Sequence, residues 1–313
     1  MKVLITGSNG FVGRHLVDYL HANFPYTIVQ GTRKGLCDGG KDECLKVDFS
    51  NDFDLLNSIR GVDVIVHCAA RVHLMSDSAK DPLTEYRQIN TEGTLRLARQ
   101  AAEAGVKRFI FISTIKVNGE SSATNQPFVP HVKKAPHDPY GLSKYEAEKG
   151  LLALAHETGM EVVIIRPPLV YGKGVKANFN TMVNIVKKRL PLPLGAIDNK
   201  RSLVYVGNLV DLVTVCLEHP GASNRVFLVS DDEDVSTSQL LRKIATAMGK
   251  NSYLLPIPGT LILWLTKALG KAFVGERLCS SLQVDISETK SCLNWKPPYC
   301  LDDALKLTVT NKK

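Results

Sequence analysis

Short apolar runs alternate, through the first half of the chain, with longer stretches whose apolar residues recur at helical spacing. Lys2–Thr6, Tyr26–Gly31, Val62–His67, Arg108–Ser113 and Glu161–Arg166 read as strands. Between them, Phe11–Ala22 (apolar at Phe11, Val12, Leu16 and Leu20), Leu83–Glu103 and Lys144–His156 read as helices. Strand and helix in strict alternation predict a parallel, doubly wound α/β sheet. Right-handed crossovers then gather the functional loops at the carboxyl ends of the strands.

The texture changes after Arg166-Pro167-Pro168. Proline and glycine punctuate 167–195, and Leu190-Pro-Leu-Pro-Leu-Gly195 cannot continue a helix. Helices return near 207–218 and 236–248, with a strand at Arg225–Val229. The pattern predicts a dinucleotide-binding domain over 1–168 and a smaller, mixed, mainly substrate-binding domain over 169–313, with elements near 203–231 returning to the first. The run Leu261–Phe273 is strongly apolar but too short to span a bilayer. Burial within the smaller domain is expected there, ahead of a helix lying on a membrane surface.

At 313 residues, with 44% hydrophobic and 22% charged positions, the chain has ample core for a globular enzyme. Met1-Lys2 leads straight into the first strand, so a cytoplasmic location is expected, without stable membrane insertion. The seven cysteines show no ligand spacing, which predicts reduced thiols and no metal. His67, at a buried-looking strand end, suits a hydrogen-bonded structural role. The net charge of +8 is spread along the chain, and aromatics are only 7%, without the interleaving of a base-stacking surface. Nucleic acid is therefore not an expected partner, whereas anionic small molecules such as nucleotide diphosphates are.

Candidate chemistry starts directly after the first strand, in Gly7-Ser-Asn9-Gly10-Phe11-Val12-Gly13. Glycines between strand and helix let the backbone approach a pyrophosphate, at a helix N-terminus whose free N–H groups face the phosphates. The second strand ends in Gly31-Thr32-Arg33-Lys34, without the acid that usually holds an NAD ribose. Arg33 and Lys34 thus favour NADP over NAD. Further on, Tyr140 and Lys144 are four apart, on one face of a helix. An ammonium about 4 Å from the phenol, at an effective dielectric near 20, supplies the ~4 kcal/mol needed to bring a tyrosine from ~10 to ~7.

With these features stand Asp48 after a short strand, His67-Cys68-Ala69-Ala70, Asn90-Thr91-Glu92-Gly93-Thr94, Ser113-Thr114 and Arg166-Pro167-Pro168-x-x-Tyr171-Gly172. Together they resemble the extended short-chain dehydrogenase/reductases of the NAD(P)-dependent sugar epimerase/dehydratase group, over essentially the whole chain. The resemblance implies a Rossmann domain carrying a catalytic set of Thr114, Tyr140 and Lys144, with Tyr140 as acid/base at a sugar hydroxyl. It implies Asp48 and Phe49 near the adenine, and Ala69, Ala70 and Pro167 along the cofactor groove. Asn90 is implied as a structural or cofactor-side residue. Lys116, Asn178, Arg201 and Arg277 are the candidate contacts to a UDP-sugar, and a homodimer is expected by the same likeness.

Relatives that are 4,6-dehydratases place Asp-Glu after the catalytic Ser/Thr, where this chain has Ile115-Lys116. Dehydration is therefore not expected. Two subgroup-like runs, at 113–119 and 167–179, resemble enzymes acting at C4 of UDP-N-acetylhexosamine-type sugars in bacterial surface-polysaccharide synthesis. Reduction of a UDP-4-keto-6-deoxy-N-acetylhexosamine, to a UDP-N-acetylquinovosamine or UDP-N-acetylfucosamine product, is the favoured reading because Arg33 and Lys34 suit the reducing NADPH pool. A UDP-hexose 4-epimerase is the alternative, and a non-catalytic NADP-binding regulatory module the remote one.

Overall fold

The computed structural model describes residues 1–37, 42–72, 81–123, 125–175 and 178–310. The chain opens with β1 (Lys2–Thr6), α1 (Phe11–Asn23), β2 (Thr27–Thr32), β3 (Glu43–Lys46) and β4 (Val64–His67). A helical segment follows as α2 (Pro82–Tyr86), a π-type turn at Arg87–Glu92 and α3 (Gly93–Glu103). Then come β5 (Arg108–Ile112), a 3₁₀ turn at Ile115–Val117, α4 (Pro139–Thr158) and β6 (Glu161–Arg166). The C-terminal part contributes β7 (Leu169–Tyr171), α5 (Asn178–Lys187), β8 (Arg201–Tyr205), α6 (Val206–Glu218), β9 (Arg225–Leu228) and β10 (Asp234–Val235). It closes with α7 (Thr237–Ala247), α8 (Gly259–Ala268), α9 (Ala272–Cys279), α10 (Ser287–Leu293) and α11 (Leu301–Val309).

Seven strands form a parallel sheet in the order β3-β2-β1-β4-β5-β6-β9. Alternation along the strands covers both faces. Val3 and Ile5 pack with Leu16 and Leu20 of α1 and with Leu209 and Val213 of α6. Leu4, Phe109 and Phe111 pack on the opposite side with Leu97 and Ala101 of α3 and with Ala147 and Leu151 of α4. Strand order reverses between β1 and β4, where Thr6 is in register with His67, and the crevice of a doubly wound sheet opens at that point. The smaller sheet, β10-β8-β7, carries its own core of Tyr171, Phe179, Leu203, Ile244 and Leu305.

Three expectations need correction. The helix bearing the Tyr/Lys pair begins at Pro139, not Lys144, because the Asp138 carboxylate caps it by accepting from Gly141 N at 2.8 Å. Cys37 and Cys44 are joined as a disulfide rather than free, their Cα atoms 6.0 Å apart. The apolar run 261–273 is not buried. Gly270, at φ +68°, ends α8, and α9 folds back on it where the absent Cβ of Gly275 admits the Thr266 side chain. The two helices pack on each other, leaving Ile262 covered and Leu261, Trp264, Leu265, Leu269 and Phe273 exposed.

Candidate active site

The glycine segment turns tightly at the crevice. Gly7 has φ +68°, and a Cβ there would lie 2.7 Å from Ala69 N, so only glycine lets β1 and β4 end this close together. Gly10 N donates to Gly7 O at 2.9 Å, and α1 starts with no side-chain cap on its first N–H groups. Phe11, Val12 and the buried Gly13 form its first turn, with Asn9 exposed at the lip. Among the described residues, the buried Ser8 hydroxyl has no hydrogen-bond partner.

Beneath the crevice, His67 bridges Thr6 Oγ1 (2.7 Å) and Thr94 Oγ1 (3.0 Å), and burial keeps its imidazole neutral. Phe49 lies edge-on to that ring and under Gly93. Asp48 accepts from Ser50 and Asn51, which together with Arg33 hold it below the usual carboxylate range. Arg33, three-quarters exposed, reaches it at 3.9 Å, and Lys34 projects to solvent beside it. Ala69 and Ala70 follow β4, and the carbonyl of the buried Pro167 accepts from Ile115 N at 2.9 Å.

The close fit of α4 on the turn after β5 assembles the catalytic candidates. A Cβ on Gly141 would sit 2.8 Å from Lys116 O, so the first turn of α4 lies directly on the 115–117 segment. Thr114 caps that segment, its Oγ1 accepting from Lys116 N at 3.3 Å. Lys116 itself is tied to Asp138 (3.0 Å) and Glu120 (3.1 Å). Tyr140 packs edge-on to Tyr86, ring centroids 5.8 Å apart. Lys144 is fully buried, its Nζ 3.9 Å from the Phe111 ring centroid and without a hydrogen-bond partner among the described residues.

Here the electrostatics reverse the sequence expectation. Burial, followed by the Asp138 carboxylate and Tyr86, pushes the Tyr140 phenol up rather than down. Burial also brings the Lys144 amine down from 10.5 to about 7 in the cofactor-free chain. Desolvation is the largest influence on both groups.

The same helix face continues to a residue that sequence reasoning passed over. Glu148, eight residues beyond Tyr140, receives Arg166 Nε at 2.9 Å and Nη2 at 2.6 Å, plus Ser113 Oγ at 2.5 Å. Both ionic side chains are almost wholly buried. Helical spacing from Tyr140 and Lys144 was the signal that could have found it. Asn90, in the π-type turn, is a brace: it bonds both backbone polar groups of Arg71 and the Ser143 hydroxyl.

The substrate-side candidates divide. Arg201 opens β8, half-covered, its Nη1 donating to the carbonyls of Arg277 (3.2 Å) and Ser280 (3.0 Å). Burial and then the Arg277 charge lower its affinity for a proton. Arg277 lies over the Phe273 ring at 5.4 Å. Segment 281–283 joins this pair to the loop after Thr114, through Ser122 N to Ser281 O (2.9 Å), Phe128 N to Gln283 O (2.8 Å) and Ser202 N to Leu282 O (2.8 Å). Asn178 is the first residue of α5, and its side chain lies outside the described residues.

A model of the NAD dependent epimerase/dehydratase family matches residues 3–230, which span the glycine cradle, Tyr140 and Lys144. The chain belongs to that family. This epimerase/dehydratase is 50% identical to a UDP-glucose 4-epimerase of Vibrio cholerae, over 98% of its own length and 94% of the relative's. It is 27% identical to the N-acetyl-alpha-D-glucosaminyl-diphospho-ditrans,octacis-undecaprenol 4-epimerase of Escherichia coli O157:H7, over 98% and 94% of the two chains. Its fold matches the UDP-glucuronic acid 4-epimerase of Bacillus cereus in complex with NAD, at TM-score 0.77 and 22% identity, covering 98% and 95% of the chains. A family dinucleotide fits the residues present: the glycine cradle has no room for side chains, the α1 N-terminus is uncapped, and the Lys144 amine is buried without a partner.

Proposed function

We propose that this family member is an NAD-dependent 4-epimerase of a UDP-hexose or UDP-N-acetylhexosamine. The observation that carries the reading is the 50% identity, across nearly the whole chain, to a UDP-glucose 4-epimerase. It moves the balance away from the net reductase favoured by Arg33 and Lys34. Bound NAD supplies reversible hydride transfer at the sugar C4. As the phenolate, Tyr140 would take the C4 hydroxyl proton while the hydride leaves C4, and would return it when the hydride comes back, with Thr114 holding the same oxygen. Lys144 binds the cofactor ribose through its buried amine, the Gly7–Gly13 cradle takes the pyrophosphate, and Arg201 with Arg277 grips the substrate diphosphate.

The test is interconversion of UDP-glucose with UDP-galactose, and of the N-acetyl pair, without added reductant. Tyr140→Phe should abolish it, with a loss of about a thousandfold or more, and leave cofactor binding intact. Oxidation of NADPH by a UDP-4-keto-6-deoxy sugar, without epimerisation, would establish the reductase instead. That second reading retains one support: the end of β2, Gly31-Thr32-Arg33-Lys34, carries no acid. Comparing NAD with NADP affinity, in wild type and Arg33→Ala, separates the cofactors.

A further inference from the structure

The α8–α9 hairpin has apolar side chains on its outer surface. Leu261, Trp264, Leu265 and Ala268 follow helical spacing along α8, and Trp264 is 65% exposed. Leu269 (72% exposed) and Phe273 extend this surface across the turn into α9. Just before α8 in the chain, Tyr253 and Leu255 are also exposed, on a segment tied to Leu192 by Leu192 N to Tyr253 O (2.9 Å) and Leu255 N to Leu192 O (2.7 Å). Exposed large apolar side chains so concentrated on one helical hairpin differ from leucines scattered singly over a surface.

Its charge is one-sided. In segments 187–200 and 250–279, Asp198 and Glu276 are the acids, set against Lys187, Lys188, Arg189, Lys200, Lys250, Lys267, Lys271 and Arg277. An apolar surface with an aromatic anchor and a basic margin is the composition of a helix that lies in a lipid headgroup layer. A second copy of the chain suits it less, because a two-fold interface would set one net-basic surface against another. Among the described residues no helix is long and apolar enough to cross a membrane, so contact would be confined to the surface.

We propose that the α8–α9 hairpin docks this protein peripherally on an anionic lipid bilayer, with Trp264 and Leu265 inserted and Lys267 and Lys271 against the headgroups. The proposal stands independently of the reaction assigned above. None of these four residues belongs to the catalytic or binding set.

The test uses the full-length protein with phosphatidylcholine vesicles, with and without phosphatidylglycerol. Flotation and a blue shift of tryptophan emission are expected only with the anionic vesicles, and both should weaken at high salt. Trp264 is the reporter, since Trp295 is buried and bonded to Asp211. Each lysine at an anionic surface contributes about fivefold in affinity, so Lys267→Glu with Lys271→Glu should lose at least ~25-fold. Trp264→Glu should abolish binding while turnover of soluble UDP-sugar and thermal unfolding stay unchanged. No partition into anionic vesicles would overturn the proposal. So would a concentration-dependent dimer, seen by sedimentation, that Trp264→Glu dissolves.

Discussion

Removing the carboxylate of Glu148 should destabilise the protein more than any single surface change. Its partner Arg166 is 5% exposed and Glu148 itself 3%, so Glu148→Met would leave a guanidinium in the interior without its counter-ion. Breaking a buried pair from one side costs about 3–5 kcal/mol. The lower end applies here, because Arg166 Nη1 keeps its bonds to Pro130 O (2.7 Å) and Asn118 Oδ1 (3.1 Å). With an unfolding entropy of about 2.1 cal/mol/K per residue over 313 residues, ~3 kcal/mol corresponds to roughly 5 °C in Tm. Reversible urea unfolding gives the free energy, and calorimetry gives the shift. Glu148→Met combined with Arg166→Met should recover most of the loss, because the desolvation cost disappears with both charges. A single substitution costing under about 1 kcal/mol, or a double costing the sum of the two singles, would refute the reasoning.

Other outcomes follow from the same geometry. Lys144 has its amine lowered from 10.5 to about 7, so the unfolded chain binds more protons than the folded one between these values, and stability of the cofactor-free protein should rise with pH through that window. Lys144→Met should flatten that rise, as read from Tm across about pH 7–10; an unchanged slope would remove Lys144 as its source. Gly7→Ala forces a side chain to φ +68° and against Ala69 N, and should weaken cofactor binding at least about tenfold by titration calorimetry. Asp138→Ala removes the α4 cap and one partner of Lys116, with an expected cost of about 1 kcal/mol in urea unfolding.

The parallel sheet was legible because β1, β5 and β6 are nearly unbroken apolar runs followed by punctuation, and Gly7, Gly10 and Gly13 mark where chain and ligand must come close. The start of α4 was also written in the sequence, in Asp138-Pro139, but apolar spacing distracted from that capping signal. What could not be read was whatever depends on depth. Tyr140 and Lys144 have the spacing of a phenolate–ammonium pair, yet their ionisation follows from how much low-dielectric core surrounds them. The outward face of α8–α9 was hidden for a related reason: a run apolar on every side does not say which side lacks a neighbour. The pairing of Cys37, beyond the end of β2, with Cys44 of β3 is announced by no local pattern.

The position of β9 and α6 bears on how the chain matures on the ribosome. Val3, Ile5, Val66, Ile110 and Ile165 line a sheet face whose cover includes Leu209 and Val213, and the sheet gains its last strand at Arg225–Leu228. Between Arg166 and Leu228 the chain makes the smaller sheet's β7 and β8 first. At about 5–20 residues per second, this excursion lasts roughly 3–12 seconds. Until α6 follows, that face has only α1 as helical cover, and until β9 follows, the β6 edge is unpaired. Vectorial synthesis therefore makes the middle of this chain, rather than its end, the stage at which a chaperone has most to shield.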